Sequence, residues 1–183
     1  MQKVNMFAVK VFIFSPVQEN TYILYNERKD CIIIDPGCYY DDEKDALAFF
    51  VENNGLTPRL LLNTHCHLDH VFGNKWVSEK YGLILHRHDK EKIVLANAPV
   101  AGLRWNLPFD NYQGDVQYVR EGDIISLGED ELEVFFTPGH SPGSVIYYCR
   151  KQGFIRRRCI VPDEHRADRP SRRRSWHFDQ QYP

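Results

Sequence analysis

THCHLDH, residues 64–70, places three histidines and an aspartate in seven positions, directly after the apolar run Leu60–Leu62. Such a run reads as a short buried strand, and the heptapeptide is then the loop beyond its end. Alternate side chains of an extended segment share a side, so His65 and His67 project together. Two neutral imidazoles at that spacing grip one metal ion. Asp69 and His70 lie where the chain turns and reach the same ion or a second one nearby. Imidazole suits zinc and iron, and an added carboxylate keeps the site moderately hard. A single histidine near a strand end is commonly a surface or packed residue. Three with an aspartate are better explained by metal binding.

One loop rarely completes such a site. TPGHSPGS, residues 137–144, presents His140 between two Pro-Gly pairs, as a rigid turn carrying a distant third ligand would. Alone, the segment would read as an ordinary turn.

Outward from these loops, strands and helices alternate early and strands dominate late. Phe7–Phe14, TYILY and CIIIDPG read as strands. A helix capped by Asp41 or Asp42 runs to about Asn54, with Ala46, Leu47, Phe50 and Val51 inward and Gly55 as its stop. Asn74–Tyr81 reads as a helix, Leu83–His86 as a strand, DKEKIVLANA as a helix, and Pro99–Gly114 as a long loop. DIISLGEDELEVFF reads as a hairpin turning at Gly128–Asp130, followed by the strand SVIYYC. The pattern is that of an α/β domain with helices on the outer faces of sheets.

Bulk properties agree. At 183 residues a single domain is expected, and 43% hydrophobic residues suit a packed core. A net charge of −2 argues against general nucleic-acid binding. Five cysteines without a CxxC pair read as reduced thiols, which points to a cytoplasmic location. The N-terminus reads as a strand rather than a signal peptide, and no run is long enough for a membrane helix.

THCHLDH and TPGHSPGS together resemble the metal loops of metallo-β-lactamase fold hydrolases, which carry an H-x-H-x-D-H loop. The second segment is most similar to the glyoxalase II-like (hydroxyacylglutathione hydrolase-like) branch. The resemblance covers about Phe7–Arg150. It implies a four-layer αββα sandwich with the metals at one edge between the sheets. It implies that His65, His67 and His140 hold one ion and that Asp69 and His70 contribute to a second. It assigns Asp35 a supporting place behind the metal loops. Cys66, between two ligands, is read as a supporting residue too, because metal-bound hydroxide already fills the nucleophile's role. The implied cofactor is one or two zinc ions, with iron or manganese as alternatives, and the implied substrate is a small acyl thioester such as an S-acylglutathione.

The family's pattern then breaks. It has a bridging aspartate in a Gly-Asp pair and a late histidine after the position of His140, yet this chain has no glycine after Gly153. Residues 154–183 hold eight arginines and no lysine or leucine, with a net charge of +4 against −6 for residues 1–153. We therefore divide the chain into a truncated domain, 1–153, and an atypical basic tail, 154–183, non-native or disordered. Reading the tail's codons one base later, with synonymous choices free, permits both the Gly-Asp pair (from residues 156–162) and the family's Arg-Thr-Asp-Leu-Pro-Gly-Gly-Asp stretch (from residues 167–178). The tail thus reads as the family's C-terminal segment in a shifted frame. A sandwich incomplete at its C-terminus should be poorly stable and weakly active. The rival readings are an iron-dependent persulfide dioxygenase with the same motifs, and a non-catalytic remnant. A nucleic-acid binder built on the basic tail is the weakest. His86 and His88 read as a strand end leading into a helix rather than a ligand pair. Trp105, Phe109 and Tyr112 are left between cleft wall, core and dimer contact.

Overall fold

The computed structural model describes residues 7–149 and, as backbone, residues 159–160. The first six strands, β1 (Ala8–Phe14), β2 (Glu19–Tyr25), β3 (Asp30–Ile34), β4 (Thr57–Leu62), β5 (Leu85–His88) and β6 (Val116–Val119), form one sheet in chain order. β1 to β3 are antiparallel and β3 to β6 parallel. The crossovers carry α1 (Asp41–Asn53), then α2 (Leu68–Val71) and α3 (Asn74–Tyr81), then a 3-10 turn (Asp89–Glu91) running into α4 (Lys92–Arg104). β7 (Ile124–Leu127), β8 (Asp130–Phe136), β9 (Val145–Tyr148) and the two-residue β10 (Cys159–Ile160) make a second, antiparallel sheet.

The inner strands of the first sheet, β3 above all, turn apolar side chains to both faces because both are covered there, whereas Val11 and Ile13 of the edge strand β1 stay exposed. Ile33, Leu61 and Leu85 pack under the helices with Leu47, Val51, Val77, Leu95 and Ala98. Leu24, Ile32, Ile34 and Leu62 face the other way, onto Leu132, Val134, Val145 and Tyr147 of the second sheet. Fully burying one such aliphatic side chain contributes about 1.5–3 kcal/mol, so both interfaces hold the layers. Three layers of the expected αββα sandwich are thus in place, helices on sheet on sheet. Among the described residues no helix covers the outer face of the second sheet. The reading of residues 154–183 as a shifted-frame tail lies outside the described residues, β10 excepted. Among the described residues, no helix is long and apolar enough to cross a membrane.

Four details of the sequence reading change. α4 continues through Pro99 to Arg104, where a loop was expected. A proline inside a helix costs about 3 kcal/mol, but Leu95, Ala98 and Gly102 bury one face of α4, and that burial outweighs it. The inward residues of α1 are Leu47, Ala48 and Val51, with Phe50 packed at the edge of the same core, whereas Ala46 faces solvent. The cap of α1 is Tyr40. Asp41 and Asp42 instead occupy its first turn, where they favour the positive end of the helix, and the Glu43 carboxylate accepts from Tyr39 and Tyr40 N–H. β5 begins two residues later than expected, because Leu83 packs against the helix-side core.

Candidate metal centre

THCHLDH leaves the carboxyl end of β4, beside the end of β3, where open α/β sheets place their sites. Asp35, at that end of β3, has φ +49°, a strained conformation for a side chain other than glycine. Its carboxylate explains why the strain persists. Oδ1 accepts from Thr64 N–H at 2.7 Å and Asn63 Nδ2 at 3.1 Å, and Oδ2 accepts from Thr64 Oγ1 at 2.5 Å. His70 Nδ1 lies 3.2 Å from Oδ2. Burial alone would raise Asp35, but His70, His65 and the Thr64 hydrogen bond together outweigh it and hold the carboxyl below the usual carboxylate range.

The short helix α2 supplies the turn that separates the two groups of ligand candidates. His67 caps it and Asp69 and His70 lie within it. His70 is held between carboxylates, with Nδ1 facing Asp35 and, at 3.6 Å, Glu19, while Nε2 faces Asp69 at 3.6 Å. Burial pushes Glu19 well above the usual carboxylate range, partly countered by His70. Glycine is required at two places here. A Cβ on Gly37 would meet the Asp69 carbonyl at 2.6 Å, and one on Gly73 would meet the Pro36 carbonyl at 2.8 Å.

His140 arrives from the loop between β8 and β9. Thr137 N–H donates to the Ser144 carbonyl at 2.8 Å and closes that loop, and Val145 N–H donates to the Thr64 carbonyl at 2.9 Å and docks it on the first. The structure brings His65, His67 and His140 together, one ligand nitrogen from each lying within 4.8 Å of the others. His67 Nδ1 and His140 Nε2 stand 2.7 Å apart. His65 is fully buried and His140 exposed, so the cluster opens to solvent on one side.

These three residues fit one ion. Nitrogens bound to a tetrahedral zinc at roughly 2.0–2.1 Å lie about 3.3 Å from one another, which falls between the 2.7 Å of the His67–His140 pair and the 4.8 Å that bounds the cluster, and a three-imidazole set leaves one position open. A second cluster, Glu19, Asp35 and His70, is also close enough for an ion. Its chemistry argues otherwise, since Asp35 is filled by Thr64, Asn63 and His70 and all three residues are buried. Among the described residues these are the two such clusters. Asp69 is not part of either.

Cys66 Sγ is fully buried, 4.0 Å from Asn63 Oδ1, and burial pushes the thiol well up, which keeps it from acting as a thiolate. His86 and His88 join no ligand cluster. His88 caps the 3-10 turn and stacks on Phe136 at 4.6 Å. Tyr112 is core, Trp105 is 65% exposed, and Phe109 packs edge-on against Phe72.

Two residues escaped the sequence. Glu19 opens an ordinary strand. Glu91 belongs to the charged run DKEK, which reads as solvated, yet it is fully buried. No local signal marks either, because both are defined by partners distant in the chain.

Comparison with known proteins gives a family. The sequence model described as the Metallo-beta-lactamase superfamily matches residues 14–156. The probable metallo-hydrolase YqgX of Bacillus subtilis is 36% identical over 141 residues, covering 76% of this chain and 64% of that protein. The hydroxyacylglutathione hydrolase GloC of Haemophilus influenzae is 30% identical over 139 residues, covering 75% of this chain and 64% of that protein. The chain therefore spans just under two thirds of these relatives. Among solved structures, the B3 metallo-beta-lactamase BLEG-1 is 34% identical with a TM-score of 0.69, covering 79% of this chain and 68% of that one. TTHA1623 in a di-iron-bound form is 30% identical with a TM-score of 0.64, covering 76% and 66%.

Proposed function

The chain belongs to the metallo-beta-lactamase superfamily, and on that premise we propose that it is a metal-dependent hydrolase of acyl thioesters, with S-acylglutathiones as the substrate class. One observation carries the reading. Imidazoles 73 residues apart in sequence, His67 and His140, meet beside a buried His65 at an open edge of the sandwich. The relationship to GloC supports the thioester, and the di-iron neighbour supports iron beside zinc as the ion.

His65, His67 and His140 would hold the ion. When bound, it supplies a water acidified to a pKa of about 7 and a Lewis acid for the acyl oxygen. The chain's own residues do the orienting. Thr64 Oγ1 donates to Asp35, so it accepts from His65 Nδ1, 3.2 Å away, and that tautomer presents Nε2 to the cluster. Asp35 and Glu19 hold His70 Nδ1, and this turns Nε2 toward Asp69. Asp69 and His70 would take a second ion weakly, because among the described residues no bridging carboxylate joins them. Cytoplasmic residence is part of the same reading.

The test is metal content and thiol release from an S-acylglutathione, with zinc and iron forms in parallel, after the coding DNA across codons 145–165 has been re-read. We expect about one ion per chain and slow turnover. Oxygen uptake with glutathione persulfide by the iron form alone would replace the hydrolase with a persulfide dioxygenase. Faster turnover of a β-lactam than of the thioester would redirect the substrate. A folded chain with neither metal nor turnover would leave a non-catalytic remnant. A one-base correction in the DNA would restore the Gly-Asp pair and predict two ions.

A further inference from the structure

Glu91 lies at the end of the 3-10 turn, in neither histidine loop, and its side chain is completely buried. Its two carboxylate oxygens are divided between those loops. Oε2 accepts from Cys66 N–H at 2.8 Å, and Cys66 stands between His65 and His67. Oε1 accepts from Ser141 Oγ at 2.6 Å and from Gly143 N–H at 2.6 Å, and Ser141 directly follows His140. The loop of His140 has evidently been shaped to this contact, since a Cβ on Gly143 would meet Glu91 Cγ at 2.8 Å and Oε1 at 2.9 Å. All three partners are donors, so a carboxylate satisfies them and an amide does not. An aspartate is one methylene too short to reach both loops.

We infer that Glu91 is a positioning residue whose buried carboxylate clamps the His65–His67 loop to the His140 loop and thereby sets the metal affinity of the three-imidazole cluster. This rests on the metal reading of those histidines. It goes beyond that reading by assigning the geometry of the cluster to a residue that touches none of the three rings through any of these bonds. Two of the imidazoles ride on one loop, so their mutual spacing is local. The position of the third relative to them is a tertiary matter, and the carboxylate fixes it through its bonds to both loops. Outer-sphere partners that orient ligands typically change metal affinity 10–100-fold when removed.

The test is titration of the full-length, metal-free chain with cobalt(II) alone, read by its visible ligand-field absorption. Wild type should bind, and His140→Ala should lose the absorption. Glu91→Gln, which sets an amide N–H against a backbone N–H, and Gly143→Ala, which pushes the loop away from the other side, should each weaken cobalt binding about 10–100-fold and reduce the band intensity. A merely structural role would lower the melting temperature of the metal-free chain and leave the affinity of the folded fraction unchanged. Should Glu91→Gln not fold, Ser141→Ala, which removes one bond of three, decides on the same scale. Unchanged affinity in these variants beside a deficient His140→Ala overturns the clamp alone. A wild-type chain that takes no cobalt overturns the clamp and the histidine reading together.

Discussion

The end of the first sheet and the loop that carries His140 supply the two halves of one site by opposite means. At the sheet end, Asp35, Asn63, Thr64, His65 and His70 are buried and joined by hydrogen bonds among themselves. Its cost of order has been met by folding. The His140 ring instead lies exposed on a loop fastened through Thr137, Val145 and the Glu91 carboxylate. A rigid half and a delivered half mean that binding strength is governed by the second. The sheets behind them differ in the same sense. The first is covered on both faces, while Phe135 and Tyr148 of the second meet edge-on at 5.8 Å on a face that no described helix covers.

The comparison breaks most directly at Asp35. Asp35→Ala leaves the Thr64 and Asn63 donors and His70 buried without their acceptor, and should cost about 3–5 kcal/mol in urea unfolding of the metal-free chain. A loss under about 1 kcal/mol would show that the sheet end is not preorganised by this carboxylate. His140→Ala is the converse. The cobalt absorption should be lost and affinity should fall beyond the roughly 10–100-fold expected for an outer-sphere partner, while stability stays within about 0.5 kcal/mol because the ring is exposed. A comparable drop in stability would erase the distinction between the halves. Gly37→Ala tests how tightly the sheet end is packed around α2, and the overlap with the Asp69 carbonyl should lower stability by about 1–3 kcal/mol.

The last test concerns the first sheet alone, and its effect is small near neutral pH. Burial pushes Cys31 from 9.0 up to about 12, with Asp30 adding to the rise and Arg59 opposing it. Its folded pKa is raised, so its contribution is fully present below pH 9 and is lost as pH climbs toward 12. Denaturant midpoints measured across that window should fall with pH, and Cys31→Ala should flatten part of the slope. An equal slope in the variant would move the alkaline sensitivity elsewhere.

How much of this could be read in advance differs by residue. His65, His67 and His140 were legible because metal-ligating types cluster at short spacings or sit in rigid turns, and the strand preceding THCHLDH was legible from its apolar run. Asp69 was read equally easily, yet the structure keeps it outside both clusters, with its carboxylate 3.6 Å from His70 Nε2. The end of α4 was misread because a local rule about proline competes with burial, and burial depends on residues elsewhere. Glu19 and Glu91 were invisible for the same reason in stronger form. Their surroundings in sequence are ordinary, and their partners lie up to 52 residues away.

The sequence by itself determined the α/β class, most of the strand and helix order (α2 and β6 excepted), and the kinds of side chain offered to an ion. These follow from periodicity and side-chain chemistry, which are local. Only the tertiary structure decided which carboxylates lie behind the histidines, which loop needs a clamp, and which face of each sheet is covered. Each of those depends on groups from separate strands and turns reaching hydrogen-bond distance, and no spacing along the chain encodes such a distance.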